Sequence, residues 1–195
     1  MNRFTKFSIR FLENMFPDDP KRLKPKKSPY ASKALILGHK CAEKILRHVY
    51  YDLSRNAPRK GVSTEADMDP LLKLSAQHLH HVLRVQQGLS LVWDDIASIF
   101  QRKCDSASEA DVKCGRVLWP RYFFEAKARY PFDPIFGIQK LLKTKLSSMG
   151  YCKGCSTEIQ DLLQKRPAAI WDDLNEWIST SAREDSGSGS SSEKD

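Results

Sequence analysis

Nowhere does this chain alternate apolar and polar residues long enough to make a half-buried strand, and no apolar run is long enough to cross a bilayer. These two absences exclude a sheet-based fold and a transmembrane anchor, and they leave helices as the only regular element. Glycine is sparse, 9 of 195 residues, and none falls in a Gly-x-x-x-x-Gly-Lys phosphate loop, a Gly-x-Gly-x-x-Gly turn or a Gly-x-Ser-x-Gly elbow. A His-Glu-x-x-His pair is missing too, so no enzyme class has a visible foothold, and a non-enzymatic protein is expected. No apolar segment with a small-residue cleavage site opens the chain, which makes an intracellular protein, cytoplasmic or nuclear, the expectation. Cysteine is scarce and odd in number, 5 residues, which fits reduced thiols or a metal better than a disulfide framework.

Acidic residues are scarce only at one end. Residues 1–60 hold 15 Lys/Arg against 5 Asp/Glu, whereas the remainder holds 17 against 19, so the net charge of +8 belongs to the N-terminal part. Its peak, Lys21-Arg22-Leu23-Lys24-Pro25-Lys26-Lys27, is bracketed by prolines and reads as a disordered, solvated linker, or alternatively as a nuclear-import address or a nucleic-acid contact. Before it, Phe4, Phe7, Phe11, Leu12 and Met15 recur at helical spacing opposite Arg3, Lys6 and Arg10. This basic amphipathic helix is expected to dock on the domain. A mitochondrial presequence and a membrane-surface helix are the alternatives.

What the chain does have is helical periodicity. Leu37, Cys41, Ile45, Val49 and Leu53 make one face of a helix from Ser32 to about Leu53, with Cys41 packing as a small hydrophobe, and Asp69-Pro70 starts a short helix to Leu74. Ser75 caps the next helix, whose Leu79, Val82, Gln86, Leu89, Trp93, Ile96 and Phe100 form a heptad-like seam beside His78, His80 and His81. An aromatic helix follows with Leu118, Trp119, Tyr122, Phe123 and Ala126 on one face. Asp133 caps a helix striped by Ile135, Ile138, Leu142, Leu146 and Met149 that Gly150 stops, and Ser156 caps the last, kinked at Pro167, with Ile159, Leu163, Ile170, Leu174 and Trp177. The expected architecture is all-α. It consists of residues 1–30 as amphipathic helix and basic linker, a single compact bundle of about six helices over 31–178, and a disordered Ser-rich tail over 179–195.

The chemistry concentrates at the cysteines. Cys152 and Cys155, three apart on a tight turn, can face one tetrahedral ion, and Cys104 and Cys114 could close the shell, although their ten-residue spacing is wider than is usual. Structural zinc, inert packed thiols and a Cys-x-x-Cys redox pair all stay open on this pattern.

Three stretches carry a resemblance. Cys152-x-x-Cys155, the helix with Arg166 and then Ile170-Trp171-Asp172-Asp173-Leu174-Asn175-Glu176-Trp177-Ile178 look like the closing segment of fungal BTB/POZ-domain proteins, with Asn175 in place of that family's proline and Ile178 in place of its final phenylalanine. Ala34-Leu35-Ile36-Leu37-Gly38-His39-Lys40-Cys41 is similar to its Leu-x-Leu-(Gly/Ala)-His-Lys-Tyr helix, and Leu74-Ser75-Ala76-Gln77-His78-Leu79 through Cys104 and Cys114 to its Leu-Ser helix followed by two cysteines. The resemblance covers residues 31–178 and corresponds to the helical region after the BTB/POZ domain. It implies a protein-interaction module, with a protein partner and no catalysis, in a fragment or degenerate copy lacking the BTB/POZ domain itself.

Overall fold

The computed structural model describes residues 3–26, 28–38, 43–55, 74–102, 104, 114 and 118–179. Among these every regular element is helical: α1 (Arg3–Met15), α2 (Ala31–Gly38), α3 (Glu43–Ser54), α4 (Ala76–Phe100), α5 (Trp119–Arg129), α6 (Pro134–Leu142) and α7 (Lys153–Ser179), with short 3-10 turns at Pro20–Arg22 and Leu146–Met149. The Asp69-Pro70 helix, Cys41 and the tail beyond residue 179 lie outside the described residues.

The two long helices, α4 and α7, form the central pair, with α3 and α6 packed against both, α5 on α6, and α1 and α2 on α3. Two glycines set how closely these helices approach. A Cβ at Gly88 of α4 would sit 2.5 Å from the Trp177 ring, and one at Gly137 of α6 would sit 2.3 Å from the Trp93 ring, so neither position has room for a side chain. Trp93 is thereby enclosed, and its indole N–H donates to the Pro131 carbonyl at 3.1 Å, which removes the cost of burying a polar group.

Gln86 interrupts the apolar seam of α4 for a reason the structure makes plain. Its amide donates to the Ser54 carbonyl at 3.0 Å while the Ser54 hydroxyl donates to the Val82 carbonyl at 3.1 Å, so a polar pair stitches the end of α3 to α4. The three histidines do not converge. His78 meets the Tyr50 hydroxyl at 2.8 Å, His81 is buried against the Tyr50 ring, and His80 is exposed.

Several boundaries differ from the pattern-based ones. Of the helix expected over residues 32–53, the described parts are Ala31–Gly38 and Glu43–Ser54, and residues 39–42 lie outside the described residues. The α6 helix stops at Leu142, because the Lys143 N–H already bonds back to the Lys140 carbonyl at 3.2 Å in 3-10 fashion; Leu146 and Met149 reach the core from the separate turn, where Gly150 takes the left-handed conformation at φ 93°. The Ser75 and Asp133 caps are present, donated to by His78 N–H at 3.3 Å and Phe136 N–H at 3.3 Å. In α1 the apolar residues divide between two directions. Ile9, Leu12 and Met15 pack on the core, whereas Phe7 and Phe11, expected on the same stripe, are 70% and 55% exposed. The basic run is anchored to the fold rather than free, since Leu23 is buried, the Lys24 carbonyl accepts from Arg55, and Asp19 caps the 3-10 turn at Pro20–Arg22. Phe16 and Leu23 thus belong to the same core as α3, α4 and α7.

Candidate metal centre

Three chain segments have to meet for the four cysteines to meet, and an aromatic cluster beneath them brings this about. Phe100, the last residue of α4, stacks on Trp119, the first of α5, with centroids 5.6 Å apart and planes 3° from parallel. Tyr151 packs against the same Phe100 ring and donates its hydroxyl to the Phe100 carbonyl at 2.8 Å in a buried hydrogen bond. Cys104 follows Phe100 by four residues, Cys114 precedes Trp119 by five, and Cys152 follows Tyr151 directly, so fixing the three aromatics fixes the three approaches. The exposed Arg102–Glu158 ion pair, 2.9 Å, adds a tie between the end of α4 and the start of α7.

The result is a cluster in which the Sγ atoms of Cys104, Cys114, Cys152 and Cys155 all lie within 4.8 Å of one another, each half-buried and none in a disulfide. A tetrahedral ion with Zn–S bonds of about 2.3 Å requires its sulfurs about 3.8 Å apart. The Cys104 and Cys152 sulfurs are 3.8 Å apart. Backbone donors also point at sulfur. The Cys152 N–H donates to Cys114 Sγ at 3.1 Å and the Cys155 N–H to Cys152 Sγ at 3.5 Å, contacts that favour thiolate over thiol and orient the ligands. The second of these places Cys152 as the cap of α7, which starts at Lys153 rather than after Ser156.

Left to themselves, four thiols this close do not ionise alike. The Cys155 N–H, with help from the neighbouring thiols, pulls Cys152 down to about 7, whereas burial pushes Cys114 and Cys155 up. The Cys152 thiolate is thus favoured while burial favours the thiol form of Cys114 and Cys155; a divalent cation at the centre would stabilise all the ligands as thiolates. The wide upstream spacing is no obstacle to the geometry, since Cys104 and Cys114 both bring their sulfurs within 4.8 Å of the Cys152 and Cys155 sulfurs.

A second polar cluster left no local signal. Arg55, its side chain 5% exposed, donates to Asp133 at 3.0 Å, to the Lys24 carbonyl at 3.1 Å and to Asp52, whose other oxygen accepts from the Ser28 N–H at 3.1 Å. Its guanidinium lies over the Tyr51 and Phe136 rings, and the Tyr51 hydroxyl donates to Asp133 at 2.7 Å. His48 donates from Nδ1 to the Pro17 carbonyl at 2.8 Å, and Trp171 donates to Asp18 at 2.9 Å. Four of these contacts join Pro17, Asp18, Lys24 and Ser28 to α3, its end or α7, and those to Asp133 join the end of α3 to the start of α6, so this cluster is a clamp.

No protein-family model, no curated protein and no solved structure matches the chain. Among the described residues no helix is long and apolar enough to cross a membrane.

Proposed function

We propose that the chain is a zinc-stapled helical interaction module, acting by association with a protein partner rather than by catalysis. The observation that carries this reading is the set of four sulfurs within 4.8 Å, with backbone N–H groups directed at two of them. Four cysteine ligands close a zinc shell and leave no position for substrate or water, which is the arrangement of structural rather than catalytic sites. The ion would hold the end of α4, the start of α5 and the first turn of α7 together. Association draws support from large apolar side chains on outer helix faces, Phe7, Phe11, Ile36, Leu83, Leu91 and Phe124, each more than half exposed. The resemblance of residues 31–178 to the region after the BTB/POZ domain points the same way. Protein purified without chelators should carry about one zinc per chain, and Cys152→Ser should lose it. Metal-free protein whose melting curve chelators and Cys152→Ser leave unchanged would overturn the reading in favour of packed thiols.

A nucleic-acid-associated regulator is the second reading, and one observation favours it: Lys21, Arg22, Lys24 and Lys26 are all exposed on backbone that Leu23 pins to the core. Its mark would be binding that weakens steeply with salt. Charge reversal at Lys21 and Lys24 is the test to use, because truncating to Ser28 would also remove the core residues Phe16 and Leu23.

A further inference from the structure

Between Asp133 and Glu158 the sequence contains Lys140, Lys143, Lys145 and Lys153 and not one carboxylate. The fold gathers three of these lysines around a concavity. A half-open depression of about 450 Å³ lies between the Leu146–Met149 turn and the start of α7, with Lys143, Lys145 and Lys153 on its wall and no acidic residue anywhere in its lining. None of the three makes an ion pair among the described residues, although Arg47, Arg55, Arg102, Lys127 and Arg166 do. Like charges drawn round a cleft with low-dielectric walls reinforce one another's field there, and the N-terminus of the 27-residue α7 adds to it. Hydroxyls of Ser147 and Ser156 and the side chain of Leu142 complete a wall that is part polar and part apolar.

We infer that this depression is the docking site for an acidic peptide segment of the partner, its carboxylates or phosphoserines meeting the lysines and an apolar residue between them resting on Leu142. The inference rests on the interaction-module reading and gives the partner a chemistry. A peptide suits the observations better than nucleic acid, because the lining offers no exposed aromatic ring for a base to stack on: Tyr151, its only ring, is buried. With zinc bound, the four thiolates leave the adjacent centre with a formal charge of about −2, part of which Lys153 offsets. Lys143 and Lys145 therefore carry most of the attraction.

The test uses the full chain and fluorescein-labelled peptides of the form Asp-Glu-Leu-Asp-Glu, the same with phosphoserine for the central acids, and Asn-Gln-Leu-Asn-Gln as neutral control, read by anisotropy beside an unstructured oligonucleotide. Micromolar binding of the acidic and phosphorylated peptides is expected, absent for the neutral one and weakened at least tenfold in Lys143→Glu/Lys145→Glu, less in Lys153→Glu, and not at all in Lys21→Glu/Lys24→Glu. Zinc content and melting of each variant are measured on the same samples. Equal binding of the neutral peptide, a change under twofold on reversing Lys143 and Lys145, or oligonucleotide binding that those reversals abolish while acidic peptides stay unbound would each overturn the inference. Such a result with zinc still at one per chain fails the docking site alone, whereas absent zinc with peptide binding intact fails the staple alone.

Discussion

The cysteine centre and the Arg55 clamp do comparable mechanical work with opposite chemistry. Each joins segments far apart in sequence: Cys104 to Cys152 across 48 residues, Arg55 to Asp133 across 78. The cysteine centre is half-buried and can hold four thiolates together only with a cation from outside, whereas the clamp is buried and carries its cation within the chain. A site that depends on an added ion can be opened by removing that ion. A clamp built from buried side chains cannot be opened without a large loss of stability. The difference predicts that the clamp governs whether the chain folds, and that the centre governs whether one part of its surface is ordered.

The largest expected effect tests the clamp. Asp52→Ala removes a partner of Arg55 and the acceptor for the Ser28 N–H, leaving a charge whose side chain is 5% exposed without its nearest counter-ion. Breaking a buried pair in this way costs about 3–5 kcal/mol, enough to threaten a domain of ordinary stability. An unfolding free energy lowered by less than about 1 kcal/mol in denaturant titration would show that Arg55 turns to solvent and that the clamp is not the foundation of the fold.

Chelation comes next. Mass action gives roughly 3 kcal/mol of apparent stability for free metal at about a hundred times its dissociation constant, so removing zinc should lower the melting temperature less than Asp52→Ala does. Amide exchange should rise at Cys152 to Cys155 and near Phe100 but not in α3. Uniform loss of protection through α3 and α4 would erase the distinction between the two clusters.

These two clusters also differ in how far they could be read without coordinates. The cysteines announce themselves because Cys-x-x-Cys is a local pattern with known ligand geometry, and the helices because periodicity is local too. The parts of the centre that were not legible are Phe100, Trp119 and Tyr151: each reads as an ordinary core aromatic, and the Tyr151 hydroxyl meets a carbonyl 51 residues away. Asp133 was legible as a helix cap, but nothing local shows that the same carboxylate also takes Tyr51 and Arg55. Phe7 and Phe11 fell on the right helix and the wrong side of it, because which part of an apolar arc is covered depends on the partner helices and not on the arc.

A smaller effect separates the clusters by pH. Burial lowers the pKa of His48, whose Nδ1 donates to Pro17 while Asp52 and Asp18 pull it upward and Arg55 downward. A lowered folded pKa means that the folded chain binds fewer protons than the unfolded one, so stability is full above about 6.5 and declines as pH falls below it, by at most about 1.4 kcal/mol per pH unit. The measurement belongs in metal-free protein, where thiolate protonation cannot displace zinc. His48→Asn should flatten the decline between pH 6.5 and 5; an unchanged slope would assign it elsewhere.

The smallest effect concerns what holds the cysteine centre together. Arg102 and Glu158 lie 2.9 Å apart beside it, but their side chains are 55% and 53% exposed, and exposed ion pairs contribute at most about 1 kcal/mol. Arg102→Ala should therefore lower the unfolding free energy by less than that and leave zinc content unchanged. Tyr151→Phe should cost more, because it leaves the buried Phe100 carbonyl without its donor, a loss of about 1–3 kcal/mol, and it should weaken metal binding by loosening the approach of Cys152 to Cys104. The reverse order, with zinc lost in Arg102→Ala and kept in Tyr151→Phe, would mean that a surface ion pair and not the aromatic base positions the ligands. The centre would then resemble the clamp after all, a charge contact holding two segments, and the division of labour between ion and side chains would fail.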